Sequence, residues 1–62
     1  MNNAMNLEKI NNFYITCNER IYDYVCQENI DDLMTECTKN LAKYYGLYNF
    51  LNDLRYELAH NN

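Results

Sequence analysis

Hydrophobic residues recur along this chain at alternating steps of three and four, the spacing that gathers side chains on one face of an α-helix. The first stripe predicts a helix over residues 5–27, regular enough to pack against a second helix in coiled-coil fashion. Its members are Leu7, Ile10, Tyr14, Cys17, Ile21 and Tyr24, with Phe13 and Val25 at its edges.

A second helix is predicted over residues 30–45. Asn29 is a preferred N-cap residue, and Asp31 and Asp32 follow it in the first turn, where the helix dipole favours negative charge. The hydrophobic stripe of this helix consists of Ile30, Leu33, Met34, Cys37, Leu41, Tyr44 and Tyr45.

The single glycine, Gly46, allows two interpretations, because it can end the second helix in a left-handed cap or lie inside one long helix at a cost near ~1 kcal/mol. After it the stripe resumes with Leu47, Phe50, Leu51, Leu54 and Leu58, flanked by Tyr48. Three short helices bury more of their own surface than one long hairpin. We therefore expect an all-α fold, a helical hairpin or three-helix bundle with helices at about 5–27, 30–45 and 47–60.

A chain of 62 residues forms one small domain, 1–62, whose solitary core is marginal. We expect a homodimer, closed through apolar surface left on the third helix, with residues 1–4 frayed. No apolar run approaches the length of a membrane span, and the first residues do not resemble a signal peptide. The expected location is the cytoplasm.

Three cysteines, Cys17, Cys26 and Cys37, show no CxxC spacing and do not lie near the one histidine, His60, in sequence. We expect reduced, buried thiols, no metal site and no cofactor. Serine is absent, which excludes a serine nucleophile.

Acidic residues dominate the middle of the chain, with six carboxylates and one cation between residues 19 and 36. At four-residue spacing in a helix, such carboxylates repel one another, so they either are simply solvated or meet a basic partner. A pI near 4.6 disfavours direct binding to DNA or RNA. Asp31 and Asp32 also suit a helix start, which explains part of the clustering. The acids expected to bind a basic protein surface are Glu19, Asp23, Glu28, Asp32 and Glu36.

Tyrosines are the second unusual feature of the composition, numbering seven. Tyr22, Tyr48 and Tyr56 fall at the margins of the hydrophobic stripes, where an amphipathic ring can serve a protein interface. Carboxylates four residues apart on a helix repeat every ~6 Å, close to the spacing of phosphates on a nucleic-acid strand. Acids and tyrosines together therefore indicate a surface that fits the basic cleft of a nucleic-acid-binding protein.

The segment from Leu54 to Asn62 carries an Arg, four intervening residues and a His, which resembles the motif of the HEPN superfamily. That resemblance implies metal-independent RNA cleavage in a dimer, with His60 moving a proton and Arg55 stabilising negative charge on phosphate. The same residues also suit a helix C-terminus, where His60 meets the dipole and Arg55 pairs with an acid.

The sequence favours a non-enzymatic interaction protein. Its small size and acidity resemble, in general character, phage-encoded inhibitors of host defence nucleases such as anti-CRISPR proteins, which would act in the host cytoplasm. A minimal HEPN-type ribonuclease or toxin using Arg55 and His60 is the alternative hypothesis. A structural subunit of a larger assembly is a third.

Overall fold

The computed structural model describes residues 6–60, and within that range the chain is all-α, as expected. Four helices follow one another: α1 (Leu7–Ile15), α2 (Ile21–Tyr24), α3 (Ile30–Thr38) and α4 (Leu41–His60). The described residues contain no strand. The expected fraying of residues 1–4 lies outside the described residues.

Helices α3 and α4 form an antiparallel hairpin joined by the short turn at residues 39–40. The start of α3 lies beside the last third of α4, and an ion pair joins them there: Arg55 Nε lies 2.7 Å from Asp31 Oδ1. Just before α3, the Gln27 side chain donates a hydrogen bond to the Leu58 carbonyl oxygen at 2.8 Å. Helix α1 packs against both helices of this hairpin, and α2 packs against α1.

The prediction of one helix over residues 5–27 is wrong, because α1 ends at Ile15. The N–H of Asn18 donates to the Phe13 carbonyl (2.9 Å) and the N–H of Cys17 donates to the Tyr14 carbonyl (3.2 Å). With Cys17 at a φ of 56°, this is the Schellman termination, in a position that usually holds glycine. The chain turns there, and the second half of the predicted helix is reduced to the single turn of α2.

The boundary favoured at Gly46 is displaced, because the kink inside α4 lies two residues earlier, at Tyr44. Helix α3 ends at Thr38 instead of residue 45, and α4 continues through Gly46, with a local distortion at Tyr44 (φ −109°, ψ 18°). A Cβ placed on Gly46 would stand 3.0 Å from the ring of Tyr14. Glycine at this position therefore lets α1 approach α4 closely and does not end a helix.

The core lies where α1, α3 and α4 meet. Its most deeply buried side chains are Leu33, Cys37, Leu47 and Leu51. The apolar stripes predicted most of these positions correctly, but Tyr24 and Tyr45 are exposed. Tyr24 lies in α2, after the turn that interrupts the first stripe, and its ring stacks on Phe13 from outside, with centroids 5.6 Å apart.

Of the three cysteines expected to be buried, the structure buries Cys37 and leaves Cys17 and Cys26 exposed. Cys17 lies in the turn after α1 and Cys26 lies just before the turn at residues 27–29, whereas Cys37 lies on the inner face of α3. Burial, with a smaller contribution from the Glu36 carboxylate, raises the pKa of the Cys37 thiol. Residues 6–60 contain no group of three or more His, Cys, Asp or Glu side chains suited to a metal ion. None of the helices described is both long and apolar enough to cross a bilayer.

Candidate functional site

The five acids expected to bind a partner lie on two helices and the turns beside them. Glu19 and Asp23 belong to one helical turn, since the N–H of Tyr22 donates to the Glu19 carbonyl (3.0 Å) and that of Asp23 to the Arg20 carbonyl (2.9 Å). Asp32 and Glu36 lie one turn apart in α3, and Glu28 lies in the turn at residues 27–29. The structure thus replaces a continuous ridge with two helical pairs and a turn residue.

Helix α3 begins at Ile30, as predicted, so Glu28 lies outside it and Asp32 inside it. Asn29, the predicted N-cap, does precede α3, but its side chain makes no hydrogen bond to the first turn. Instead its Oδ1 accepts from the Cys26 N–H and its Nδ2 donates to the Tyr24 carbonyl, each at 2.8 Å. The turn between α2 and α3 is therefore held by Asn29, and Glu28 is presented on it to solvent.

Ion pairing divides the acids. Lys39 Nζ lies 3.0 Å from Glu36 Oε2, so one member of the predicted set is already matched by a cation of the same chain. Within residues 6–60, Glu19, Asp23, Glu28 and Asp32 form no ion pair, and all four are exposed. We call these four residues the unpaired acids.

The other ion pairs tie helices together. Arg55 joins α4 to Asp31 of α3. Lys43 joins α4 to Glu8 of α1, and this contact lowers the pKa of the Glu8 carboxyl and raises the pKa of Lys43, first through their hydrogen bond. Cations near the ends of α4 are thus engaged in packing.

An apolar groove opens between the end of α1, α2 and the middle of α4. Its volume is about 370 Å³. We call it the α1–α2 groove, and its lining residues are Phe13, Tyr14, Cys17, Asn18, Glu19, Ile21, Tyr22 and Phe50. The groove follows from the turn at Cys17, which carries α2 away from the axis of α1.

Aromatic rings form most of the wall of the α1–α2 groove. Phe50 lies between two tyrosines, with ring centroids 5.5 Å from Tyr14 and 6.1 Å from Tyr22. Tyr22 is 56% exposed, as its marginal position in the sequence suggested. Phe13, Tyr14 and Phe50 were assigned to hydrophobic stripes, so sequence reasoning missed their part in a surface feature. No pattern in the chain distinguishes a stripe aromatic that lines a groove from one inside the core.

The structure does not gather the three candidate interface tyrosines. Tyr22 lies in the α1–α2 groove, whereas Tyr48 is half-buried against the core and Tyr56 is 67% exposed near the end of α4. Eight residues separate the two on α4, which corresponds to about 12 Å along the axis. Asp53 and Glu57, also on α4, are a further exposed acid pair at four-residue spacing that sequence reasoning did not single out.

Arg55 and His60, the pair that resembles the HEPN motif, lie in the last turns of α4. The Arg55 guanidinium contacts Asp31, and the ring of His60 lies against Tyr56, with centroids 4.3 Å apart. Five positions on a helix of about 3.6 residues per turn place the two side chains on different sides of α4. Each side chain thus has a contact of its own, and the ribonuclease hypothesis stays a prediction.

Comparison with known proteins gives no relative for this arrangement: no family model, no curated protein and no solved structure is detectably similar to the chain.

Proposed function

We propose that the protein is a non-enzymatic interaction module that docks its unpaired acids onto a basic surface of a protein partner. The observation that supports this proposal is the distribution of charge. Three of the chain's five cations engage Glu8, Asp31 and Glu36, while the unpaired acids, all between residues 19 and 32, stay exposed. The docking surface we propose therefore omits Glu36 from the set expected from sequence.

Charge complementarity gives this surface its specificity. Exposed carboxylates attract a cationic surface over roughly one Debye length, about 8 Å at physiological ionic strength, and repel acidic ones. The partner class that fits is a nucleic-acid-binding protein, whose channel concentrates Lys and Arg. An inhibitor of a nuclease, of the general kind that phages direct against host defence, would act in this way in the host cytoplasm.

The same proposal includes a homodimer formed through α4. Tyr45 and Tyr56 are 60% and 67% exposed. Their separation of 11 residues, about three helical turns, places both rings on one side of the helix. Sedimentation equilibrium of the parent and of a Tyr45→Lys/Tyr56→Lys variant tests this point, and a parent that sediments as a monomer at 100 μM would refute the dimer alone.

The test of docking compares two neutralised pairs. The protein would first capture its partner from the native host, and affinities of purified variants would then be measured by calorimetry at low and high salt. Glu19→Gln/Asp23→Asn removes two unpaired acids, and Asp53→Asn/Glu57→Gln removes two acids that are also exposed and have the same spacing on α4. Both changes alter net charge equally, so a difference between them reports position.

We expect Glu19→Gln/Asp23→Asn to weaken binding about fivefold to tenfold at low salt, and the α4 control to change it less than about twofold. The effect of the first pair should shrink at high salt, since screening weakens each contact. Equal effects from the two pairs, or affinity that does not respond to salt, would refute docking through the unpaired acids.

A further inference from the structure

We propose that the α1–α2 groove receives one large apolar side chain of the partner, adjacent to a Lys or Arg that pairs with Glu19. This inference rests on the proposed function and names how the partner is recognised. It adds an apolar anchor to what is otherwise a purely electrostatic surface.

The lining of the α1–α2 groove suits an apolar anchor. Four of its eight lining residues are aromatic, Phe13, Tyr14, Tyr22 and Phe50, and Ile21 adds an aliphatic side chain. Aromatic pockets that lose water on binding supply the few residues that dominate the affinity of protein interfaces. A volume of about 370 Å³ lies at the small end of ligand pockets, which span roughly 300–1,000 Å³, and matches one inserted side chain better than a long peptide.

Charge at the rim indicates what lies next to that side chain. Glu19 lines the α1–α2 groove and has no ion-pair partner in the described part of the chain. Asp23, four residues further along the chain in α2, is the other unpaired acid of this segment. The complementary partner surface therefore combines an apolar residue with a neighbouring Lys or Arg.

A second copy of the chain fits the α1–α2 groove less well than such a partner. The proposed homodimer uses Tyr45 and Tyr56 of α4, neither of which lines the groove, and three of the five cations, Lys39, Lys43 and Arg55, are engaged in ion pairs. The groove is also open on one side, so it would leave much of a small molecule in contact with water, whereas ligand pockets bury about 70–90% of their ligand.

Short peptides test the groove without the natural partner. Four capped tetrapeptides would combine Phe or Ala with Lys or Glu at the two central positions, and their binding to the 15N-labelled protein would be followed by amide chemical shifts at millimolar peptide. We expect the Phe-Lys peptide to shift groove residues with at least about tenfold higher affinity than either the Phe-Glu or the Ala-Lys peptide. Equal binding of Phe-Lys and Phe-Glu peptides, or shifts outside the groove, would overturn the proposal.

Variants keep the result specific to the groove. Tyr22→Ala should reduce affinity for the Phe-Lys peptide at least about tenfold, and Ile15→Ala, which truncates a comparably exposed apolar side chain that does not line the groove, should leave it unchanged. Thiol labelling gives a second measurement that leaves the aromatic walls intact. A bulky maleimide on Cys17, in a Cys26→Ala background, should block the peptide, whereas the same label on Cys26 in a Cys17→Ala background should not.

The outcomes also separate this inference from the proposed function. Glu28→Gln/Asp32→Asn neutralises acids that do not line the groove. It should therefore lower the affinity for the captured partner and leave the affinity for the Phe-Lys peptide unchanged. If Glu28→Gln/Asp32→Asn weakens binding of the partner but Tyr22→Ala and the Cys17 label do not, the groove proposal is refuted and electrostatic docking is retained. If the amide chemical shifts of groove residues change with protein concentration in the absence of peptide, a second copy of the chain occupies the groove and the inference is refuted.

Discussion

Cys17 adopts a backbone conformation that its side chain disfavours. Its φ of 56° lies in the left-handed region, which costs an L-residue roughly 1–2 kcal/mol relative to glycine. The conformation persists because the two terminal hydrogen bonds, from Cys17 to Tyr14 and from Asn18 to Phe13, satisfy carbonyls at the end of α1. The strained backbone of Cys17 thus ends α1 at the edge of the groove, which Cys17 also lines.

Cys17→Gly should raise the free energy of unfolding by about 1 kcal/mol, because glycine adopts the left-handed conformation without strain. Urea denaturation followed by circular dichroism measures the change. Cys26→Gly provides the matched control, since Cys26 is also an exposed turn cysteine but has no positive φ, and that substitution should lower stability. A Cys17→Gly protein no more stable than its parent would contradict this account of how α1 ends.

Gly46 is explained by its contact with Tyr14, and a double-mutant cycle tests that explanation. In a Tyr14→Leu background, Gly46→Ala should stabilise the protein by about 1 kcal/mol, because alanine is the better helix former. In the parent that gain should be cancelled, since the new Cβ would stand 3.0 Å from the Tyr14 ring. Denaturation of the four proteins gives the coupling energy. The same effect of Gly46→Ala in both backgrounds would show that the two residues do not restrain one another.

At the scale of the helices, the start of α3 at Ile30 and the end of α4 at His60 were predicted correctly, whereas the end of α1 at Ile15 and the start of α4 at Leu41 were not. Asn29 directly precedes α3 as its residue type predicted, although its side chain bonds to Cys26 and Tyr24 and not to the first turn of α3. The end of α1 had no such signal, since its left-handed residue is a cysteine in an apolar stripe. Gly46 gave a misleading signal, because its reason lies in a tertiary contact and not in the local backbone. The exposed part of the candidate site, Glu19 and Tyr22, was foreseen, whereas the walls of the groove were not.

The connection between α2 and α3 depends on the Asn29 side chain. It accepts a hydrogen bond from the Cys26 N–H and donates one to the Tyr24 carbonyl oxygen. Asn29→Ala removes both hydrogen bonds and should lower the free energy of unfolding by about 1–2 kcal/mol. Asn29→Asp keeps the acceptor for the Cys26 N–H but loses the donor to Tyr24, so its effect should be smaller. Thermal and urea denaturation of both variants measure this order. If the Asn29→Asp protein were less stable than the Asn29→Ala protein, the roles assigned to the two side-chain amide atoms would be wrong.

At the scale of the whole molecule, packing and charge follow from the same arrangement. The Lys43 pair with Glu8 and the contact of Tyr14 with Gly46 hold α1 on α4, and the Arg55 pair with Asp31 closes the hairpin. Cations used in this way leave the unpaired acids, Glu19, Asp23, Glu28 and Asp32, without an ion-pair partner within residues 6–60. The acids that stay unpaired are therefore those that none of these three cations contacts.

The reactivity of the Cys37 thiol reports on the opening of the whole helical core. Cys37 has no exposed surface and lies among the side chains where the hairpin meets α1, whereas Cys17 and Cys26 are accessible. A thiol reagent should modify two cysteines of the native protein rapidly and the third at a rate set by unfolding. Single-cysteine variants followed by mass spectrometry assign each rate, and urea well below the unfolding midpoint should accelerate the slow one alone.

The pH dependence of the slow reaction follows from the raised pKa of Cys37. As pH rises past the ordinary thiol pKa of about 8.5, the unfolded chain loses this proton while the folded chain keeps it. The unfolded state is thereby stabilised, so the free energy of unfolding should fall through this range and be unaffected by Cys37 at lower pH. Modification of Cys37 should accordingly accelerate above pH ~8.5 by more than the thiolate fraction of an exposed cysteine explains. If Cys37 tracked Cys17 at every pH, modification would require only local motion, and the core would not open as one unit.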